Sequence, residues 1–501
     1  LGYIRKNRDG KRQVWIIPVD GGEGIPVTDS KTGVRDFEWF PGGKQIAFTA
    51  VEAPSKRDKK LKKLGYGFVF FEEKIPHVHL YRTSIERNHR VRKVIQLTND
   101  VSVYRFQISP DGKSIAAAVA KKNLIDHQYM FTKIKLIDLT SGKLQPMSGN
   151  AGKLGSFRFS PDGRHLLYTA ALDQSDHAVS QLFVRGIGDK KSINLTISDF
   201  RGHIDWGIWK SNRLIYYHAK EGMQTVLRSV TLDGKKRGIV KNSKQDGIIF
   251  GQISFSRNRQ LAAFAGQSSE DPSNLYLISF QKKGKSSRKL SNINPWIIGK
   301  TLGQQTIMRY KVDDGLEIEG LLIYPVAYRK GQRYPLIVIV HGGPESNYSN
   351  GWVTRYSEPG QVLAGKGYAV FYPNYRASTG YGVPFAAEGL GDPAGKEFDD
   401  IRDGIRVLQE RGIADLKRVG LAGGSYGGYA AAWFSSYYTQ YVKAVCMFVG
   451  ISDLISKRGT TDIPYEELYV HSKLKLEESW EISLKRSPIY HAHRSKTAVL
   501  I

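Results

Sequence analysis

The 501-residue sequence holds a single cysteine, Cys446. One thiol excludes a disulfide framework and a cysteine-ligated zinc site, although it does not fix a compartment. No run approaches the ~18 consecutive apolar residues of a membrane helix. The longest tight run, Pro335-Leu336-Ile337-Val338-Ile339-Val340, has the length of a buried strand. Collagen-like repeats and extended disorder are excluded by a composition of 41% apolar and 24% charged residues. At roughly 100–200 residues per domain, the length predicts two to four domains.

Acidic residues are short in the first part of the chain. Residues 311–501 carry 22 basic and 21 acidic side chains, so +26 of the net +27 belongs to residues 1–310. That contrast sets a boundary near residue 300, giving domains 1–300 and 301–501. Two clusters, Lys56 to Lys63 and Lys282 to Lys289, supply much of the charge. Such a surface attracts nucleic acid, anionic lipid or acidic peptides. None of the nucleic-acid motifs is present, and the clusters read as solvated loops. The chain opens at Leu1 rather than methionine, with no signal peptide, and closes on Thr497-Ala498-Val499-Leu500-Ile501, which reads as the middle of a core strand. A piece is therefore expected to be missing at each end. The compartment stays open between cytoplasmic and, if a leader has been removed, periplasmic or secreted.

Residues 1–300 repeat. The unit is clearest at Phe106 to Ala116, Phe157 to Leu167 and Phe37 to Ala47, each carrying a Pro-Asp-Gly or Pro-Gly-Gly turn. Degenerate copies run from Trp206 to Tyr217 and from Ile253 to Phe264, and a tail survives at Gln13 to Asp20. An alternating strand enters the turn, where proline fixes φ and glycine accepts positive φ, and a second apolar strand leaves it. Four short antiparallel strands at a period of ~40–50 residues describe a β-propeller blade. A β-sandwich would not repeat its turn sequence. Glu72-Glu73 could capture a peptide ammonium, but adjacent strand residues point to opposite faces, and solvated acids are the plainer reading.

After residue 300 the pattern changes. Leu336–Val340, Tyr368–Tyr372 and Arg418–Ala422 read as buried strands. Asp399–Arg411 reads as a helix with apolar residues at Ile401, Ile405 and Leu408. This alternation predicts a doubly wound parallel α/β sheet, here the incomplete α/β-hydrolase type. The third strand runs into Gly423-Gly424-Ser425-Tyr426-Gly427-Gly428, followed by a helix expected over Tyr429 to Tyr438. G-x-S-x-G between strand and helix lifts the Ser425 hydroxyl to the top of the sheet as a nucleophile. His341-Gly342-Gly343-Pro344, directly after the first strand, supplies a backbone N–H at Gly343 to an oxyanion, partnered by that of Tyr426. His341 lies upstream of the nucleophile, the wrong chain order for the base of this fold, and reads as structural support for the loop.

A propeller with Ser-Pro-Asp-Gly turns, followed by His341-Gly342-Gly343-Pro344, Pro373-Asn374-Tyr375-Arg376-Ala377-Ser378-Thr379-Gly380-Tyr381-Gly382 and Gly424-Ser425-Tyr426-Gly427-Gly428, resembles the prolyl oligopeptidase family of serine peptidases. The likeness is greatest to its acylaminoacyl-peptidase and bacterial dipeptidyl-peptidase branch. The resemblance implies a Ser-Asp-His triad where propeller and hydrolase domains meet, with a propeller that admits only short peptides. It implies Ser425 as nucleophile and the Tyr426 and Gly343 N–H groups as the oxyanion hole. It departs from the family in the triad. The family's Asp follows the strand that begins here at Thr497, and its His lies later still, so neither is present. Asp453, His471, His491 and His493 all precede that strand. His491 and His493 without a nearby carboxylate make no metal site. The expected function is hydrolysis of short peptides through an acyl-enzyme on Ser425, releasing acylaminoacyl or dipeptidyl products. The alternatives are a catalytically incomplete propeller/hydrolase binding protein or fragment, and an esterase on the same serine. No metal or organic cofactor is implied. Nucleic acid is not an expected partner, and pairing of sheet edges is a route to a homo-oligomer.

Overall fold

A computed structural model describes residues 1–68, 72–73, 75–85, 94–281 and 287–501. Much of the second basic cluster, residues 282–286, lies outside the described residues. The chain divides into two compact units, residues 1–168 with 183–193, and residues 169–182 with 194–501.

The repeat becomes a series of small antiparallel sheets. In the first unit, strands over 34–96 and 102–146 form two four-stranded sheets in chain order, and Gly2–Lys6, Arg12–Ile16 and Ile25–Pro26 form a three-stranded one. Residues 203–242 and 249–289 of the second unit form two more, and a further four-stranded sheet spans residues 154–194. The three-stranded sheet is where the sequence showed only a tail.

The recurring turn has a physical cause. Ser109 donates to Asp111 Oδ1 at 2.6 Å, the same oxygen accepts from Lys113 N–H, and Ser109 Oγ accepts from Ser114 N–H at 3.0 Å. Ser160 and Asp162 repeat this arrangement, as do Thr231 with Asp233 and Ser256 with Asn258. A hydroxyl and a carboxyl or amide two residues apart thus satisfy the backbone of a turn that has no ladder partner. Gly112 and Gly163 both take φ +71°. A Cβ on Gly112 would lie 3.4 Å from Pro41 Cδ, and one on Gly163 3.5 Å from Pro110 Cδ. Each turn's glycine therefore rests on the proline of the turn one repeat earlier.

The first basic cluster is a helix rather than a loop. Lys56–Lys63 is capped by Ser55 and Asp58 in a capping box, and no residue of it is buried. Reciprocal satisfaction of first-turn N–H groups, with lysines in the last turn against the helix dipole, stabilises it locally. Glu72 is exposed and pairs with Lys122 at 3.4 Å.

The C-terminal sheet has seven strands in the order Gln305–Lys311, Glu317–Ile323, Ala369–Asn374, Tyr334–Val340, Ala414–Gly424, Ala444–Phe448, Ala498–Leu500. The first two, which the sequence reading passed over, are antiparallel, and all pairings from Ala369–Asn374 onward are parallel. The sheet is therefore mixed rather than wholly parallel, because a hairpin through Asp313-Asp314-Gly315 adds an antiparallel edge without a crossover. Both faces are covered. Leu336, Val338 and Val340 pack with Phe398, Ile401, Ile405 and Leu408 of helix Lys396–Glu410 and with Trp433 and Phe434 of helix Tyr426–Ser436. Ile339, one residue out of phase, packs with Leu321, Val370 and Ala364 on the other face. Each such fully buried aliphatic or aromatic side chain contributes about 1.5–3 kcal/mol.

Candidate active site

The strand Ala414–Gly424 ends at the turn that carries Ser425. Helix Tyr426–Ser436 begins at the very next residue, three residues earlier than Tyr429. The glycines allow this early start. A Cβ on Gly427 would sit 2.1 Å from Val340 O, and one on Gly428 2.6 Å from Phe448 O, so no other residue lets the helix seat between the neighbouring strand ends. Ser425 itself is exposed and takes φ +57°, ψ −119°. A non-glycine residue at positive φ costs of order 1–3 kcal/mol and persists where its surroundings impose it. Here the Ser425 N–H is tied to Phe448 O at 3.0 Å, and its carbonyl accepts from Tyr429 N–H at 2.9 Å. Tyr426, first in the helix, has an N–H with no intrahelical acceptor.

The His-Gly-Gly-Pro loop lies against this turn. A Cβ on Gly342 would come within 3.1 Å of Ser425 Cβ and 3.7 Å of its Oγ, and Gly343 takes φ +120°. His341 is buried, stacked on Tyr375 with centroids 4.5 Å apart. Its Nδ1 lies 2.9 Å from Gly342 O and its Nε2 2.9 Å from Ser378 Oγ. Burial lowers its pKa to about 4, against a smaller raising effect of the Gly342 carbonyl. Both ring nitrogens are thus engaged, one inside the loop and the other by Ser378, and the imidazole stays neutral there. His177 Nε2, 2.8 Å from Ala377 O, adds a second contact to the Tyr375–Ser378 segment.

Asp453 and His491 are engaged elsewhere. Asp453 caps helix Leu454–Thr460 through Ile455 N–H and also bonds Ser456 and Ser487. His491 Nε2 lies 2.8 Å from Lys485 O, its ring between Trp433 and Tyr437. His493 is exposed, and the His471 ring lies 6.3 Å from that of Tyr426. Among the described residues, no three His, Cys, Asp or Glu side chains gather as a metal-binding group. A cavity of about 720 Å³, lined in part by Arg201, Glu317, Glu319, Tyr381 and Glu388, includes neither Ser425 nor Gly343.

Two buried acids on helix Lys396–Glu410 were not singled out from the sequence. Asp400 receives Arg376 through Nε, Nη2 and the peptide N–H at 2.7–3.0 Å, while Arg376 Nη1 reaches Asp314 at 2.9 Å. Glu397 accepts from Tyr426 O–H at 2.8 Å and from Ala394 N–H at 2.6 Å. The available signal is spacing: Glu397 and Asp400 are three apart and interleave with the apolar residues Phe398, Ile401 and Ile405, so they ride on the buried face.

An exposed serine held at positive φ between strand and helix, beside a glycine loop from the neighbouring strand, on a mixed sheet preceded by small four-stranded sheets, defines the propeller–α/β-hydrolase class of protein. The comparisons agree. Residues 354–501 match the model of the prolyl oligopeptidase family, Peptidase_S9, so the resemblance drawn from the motifs holds. Over the whole chain the sequence is 26% identical to a Bacillus subtilis protein named uncharacterized peptidase YuxL, 78% of whose length is covered. It is also 26% identical to dipeptidyl-peptidase 5 of Porphyromonas gingivalis over 71% of this chain, a match spanning only 52% of that relative. Among solved structures, acylaminoacyl peptidase of Pyrococcus horikoshii superposes with a TM-score of 0.76 over 99% of this chain and 76% of its own, at 23% identity. A puromycin hydrolase gives 0.73 at 18% identity. These structural likenesses are of fold. Family match and relatives together support a peptidase.

Proposed function

We propose a serine peptidase acting on short peptides, with release of acylaminoacyl or dipeptidyl products and with Ser425 as its nucleophile. The observation that carries this reading is Ser425, exposed at φ +57° with Gly342 packed against it. In this reading Ser425 Oγ attacks the scissile carbonyl, the C–N bond breaks and the amine leaves carrying the serine's proton, and water then hydrolyses the acyl-enzyme to a carboxylic acid and restores the Ser425 hydroxyl. The N–H groups of Tyr426 and Gly343 receive the oxyanion. None of His341, His471, His491, His493 or Asp453 is assigned as base or as its orienting acid.

The test is cleavage of aminoacyl and N-acyl-aminoacyl chromogenic amides, compared with the matching esters, by the native protein and Ser425→Ala. Loss of amide cleavage in the variant is the expected result, and an unchanged rate overturns the reading. Turnover of esters alone would make the protein an esterase on the same serine. A second reading, a propeller/hydrolase binding protein without turnover, draws on the ring nitrogens of His341 and His491, which bond Gly342 O, Ser378 Oγ and Lys485 O rather than Ser425. Stoichiometric labelling of Ser425 by a fluorophosphonate would exclude it.

A further inference from the structure

The inference rests on the assignment of Ser425 and the Tyr426 N–H just made. The Tyr426 side chain points away from the site, into the protein. Its ring packs edge-on against Phe398 at 5.6 Å and Tyr429 at 5.4 Å, and its hydroxyl donates to Glu397 Oε1 at 2.8 Å. The same oxygen accepts the Ala394 N–H at 2.6 Å. Glu397 is 1% exposed, and its Oε2 is buried with no hydrogen-bond partner. One carboxyl oxygen thus joins the 391–395 loop to the first residue of the nucleophile helix.

Stability does not account for this residue. A buried carboxyl with one oxygen unused is costlier than an apolar side chain of the same size. We propose that Glu397 is a positioning residue of the oxyanion site: by fastening the Tyr426 phenol to the Ala394 turn, it fixes the direction of the Tyr426 N–H beside Ser425. A donor aimed in advance at developing charge stabilises it without reorganisation, which is what a held ring provides.

The charge state of Glu397 gives the role a signature. Burial, the largest cause, raises its carboxyl pKa to about 8; its hydrogen bonds oppose this and Asp392 adds to it. The groups facing it or its phenol partner are Tyr426 and Tyr429 from the nucleophile helix, Tyr375, Asp392, Arg486 and His471. Arg486 is bound to Asp392, with both contacts at 2.6 Å. At neutral pH Glu397 is therefore largely uncharged. Its ionisation as pH rises through that value places a negative charge behind the oxyanion site, and turnover falls on that limb.

The experiment is steady-state kinetics of amide cleavage by the native protein over pH about 6 to 10, for wild type, Glu397→Gln, Glu397→Leu, Tyr426→Phe and Ser425→Ala. Glu397→Leu and Tyr426→Phe are expected to lower kcat by about 10- to 100-fold with KM within about twofold. Glu397→Gln is expected to restore kcat to within about fivefold of wild type at neutral pH and to remove the alkaline fall. If Glu397→Leu does not fold, Tyr426→Phe decides, since it removes one oxygen. Wild-type kcat and pH profile in both Tyr426→Phe and Glu397→Gln overturn the positioning role while leaving Ser425 as nucleophile. Turnover that survives Ser425→Ala instead overturns the proposed function, and this inference with it.

Discussion

Two kinds of tight turn in this molecule put a residue at positive φ, and they do so on opposite terms. In the repeated turns at Ser109 and Ser160 the residue is glycine, Gly112 or Gly163 at +71°, and the turn's own Ser and Asp satisfy its backbone, while the degenerate turn at Ser256 places Arg259 there at +54°. At the end of strand Ala414–Gly424 the residue is Ser425 at +57°, and glycines stand around it instead. The first arrangement is locally relaxed and can be copied along the chain. The second stores strain in the one residue with a reactive side chain and holds it there by close backbone packing. The glycine turns serve architecture, and at Ser425 the violated local preference falls on the residue proposed as nucleophile.

The largest effect that separates the two turns is on activity. Ser425→Gly is expected to abolish amide hydrolysis, by roughly 10³-fold or more, as loss of a nucleophile does. The same change removes the cost of a side chain at positive φ and should raise unfolding stability by about 1 kcal/mol, read from denaturant midpoints. A stable, inactive variant sharpens the comparison, and a destabilised one breaks it. Next in size is Gly427→Ala. Its Cβ would sit 2.1 Å from Val340 O, a backbone atom that cannot move without the sheet. A loss of about 3 kcal/mol or more is expected in the same titration.

The same contrast explains how much could be read from the sequence alone. The propeller turns were legible because Pro, Asp and Gly each act within four residues, so the copies at Pro110 and Pro161 announce themselves. The elbow and the Gly342-Gly343 loop were legible because close approach admits only glycine. The start of the helix at Tyr426 was not, because Gly427 and Gly428 are poor helix formers by propensity and are imposed by contacts with Val340 and Phe448, which are distant in sequence. The antiparallel hairpin Gln305–Ile323 and the partners of Glu397 and Asp400 are likewise tertiary facts. Helix Lys56–Lys63 is the converse case: a capping box at Ser55 and Asp58 was visible but lay under a run of lysines that reads as a loop.

Smaller effects are expected in the repeated turns. Gly163→Ala meets only ordinary contact with Pro110 Cδ at 3.5 Å, so its cost is that of the left-handed backbone alone, about 1–2 kcal/mol. A cost near that of Gly427→Ala would show that the repeated turns too are governed by packing.

The smallest effect tests the hydroxyl that closes the turn. In Ser109→Ala the Ser114 N–H loses its acceptor and Asp111 loses a donor, for an expected loss of about 1 kcal/mol at neutral pH. Asp111 gives this loss a pH dependence. The Ser109 hydroxyl, then the Lys113 N–H, hold its carboxyl below the usual range, and burial opposes them only in part. A group whose pKa is lowered by folding contributes stability above its unfolded pKa, about 3.9 for Asp, and loses it as pH falls through the folded value. The gap between wild type and Ser109→Ala should therefore be widest near neutrality and narrow in acid, read from midpoints at pH about 7 and about 3. A gap that stays constant would place the hydroxyl's contribution in the Ser114 N–H alone, and the turn would then be held by its backbone rather than by its carboxylate.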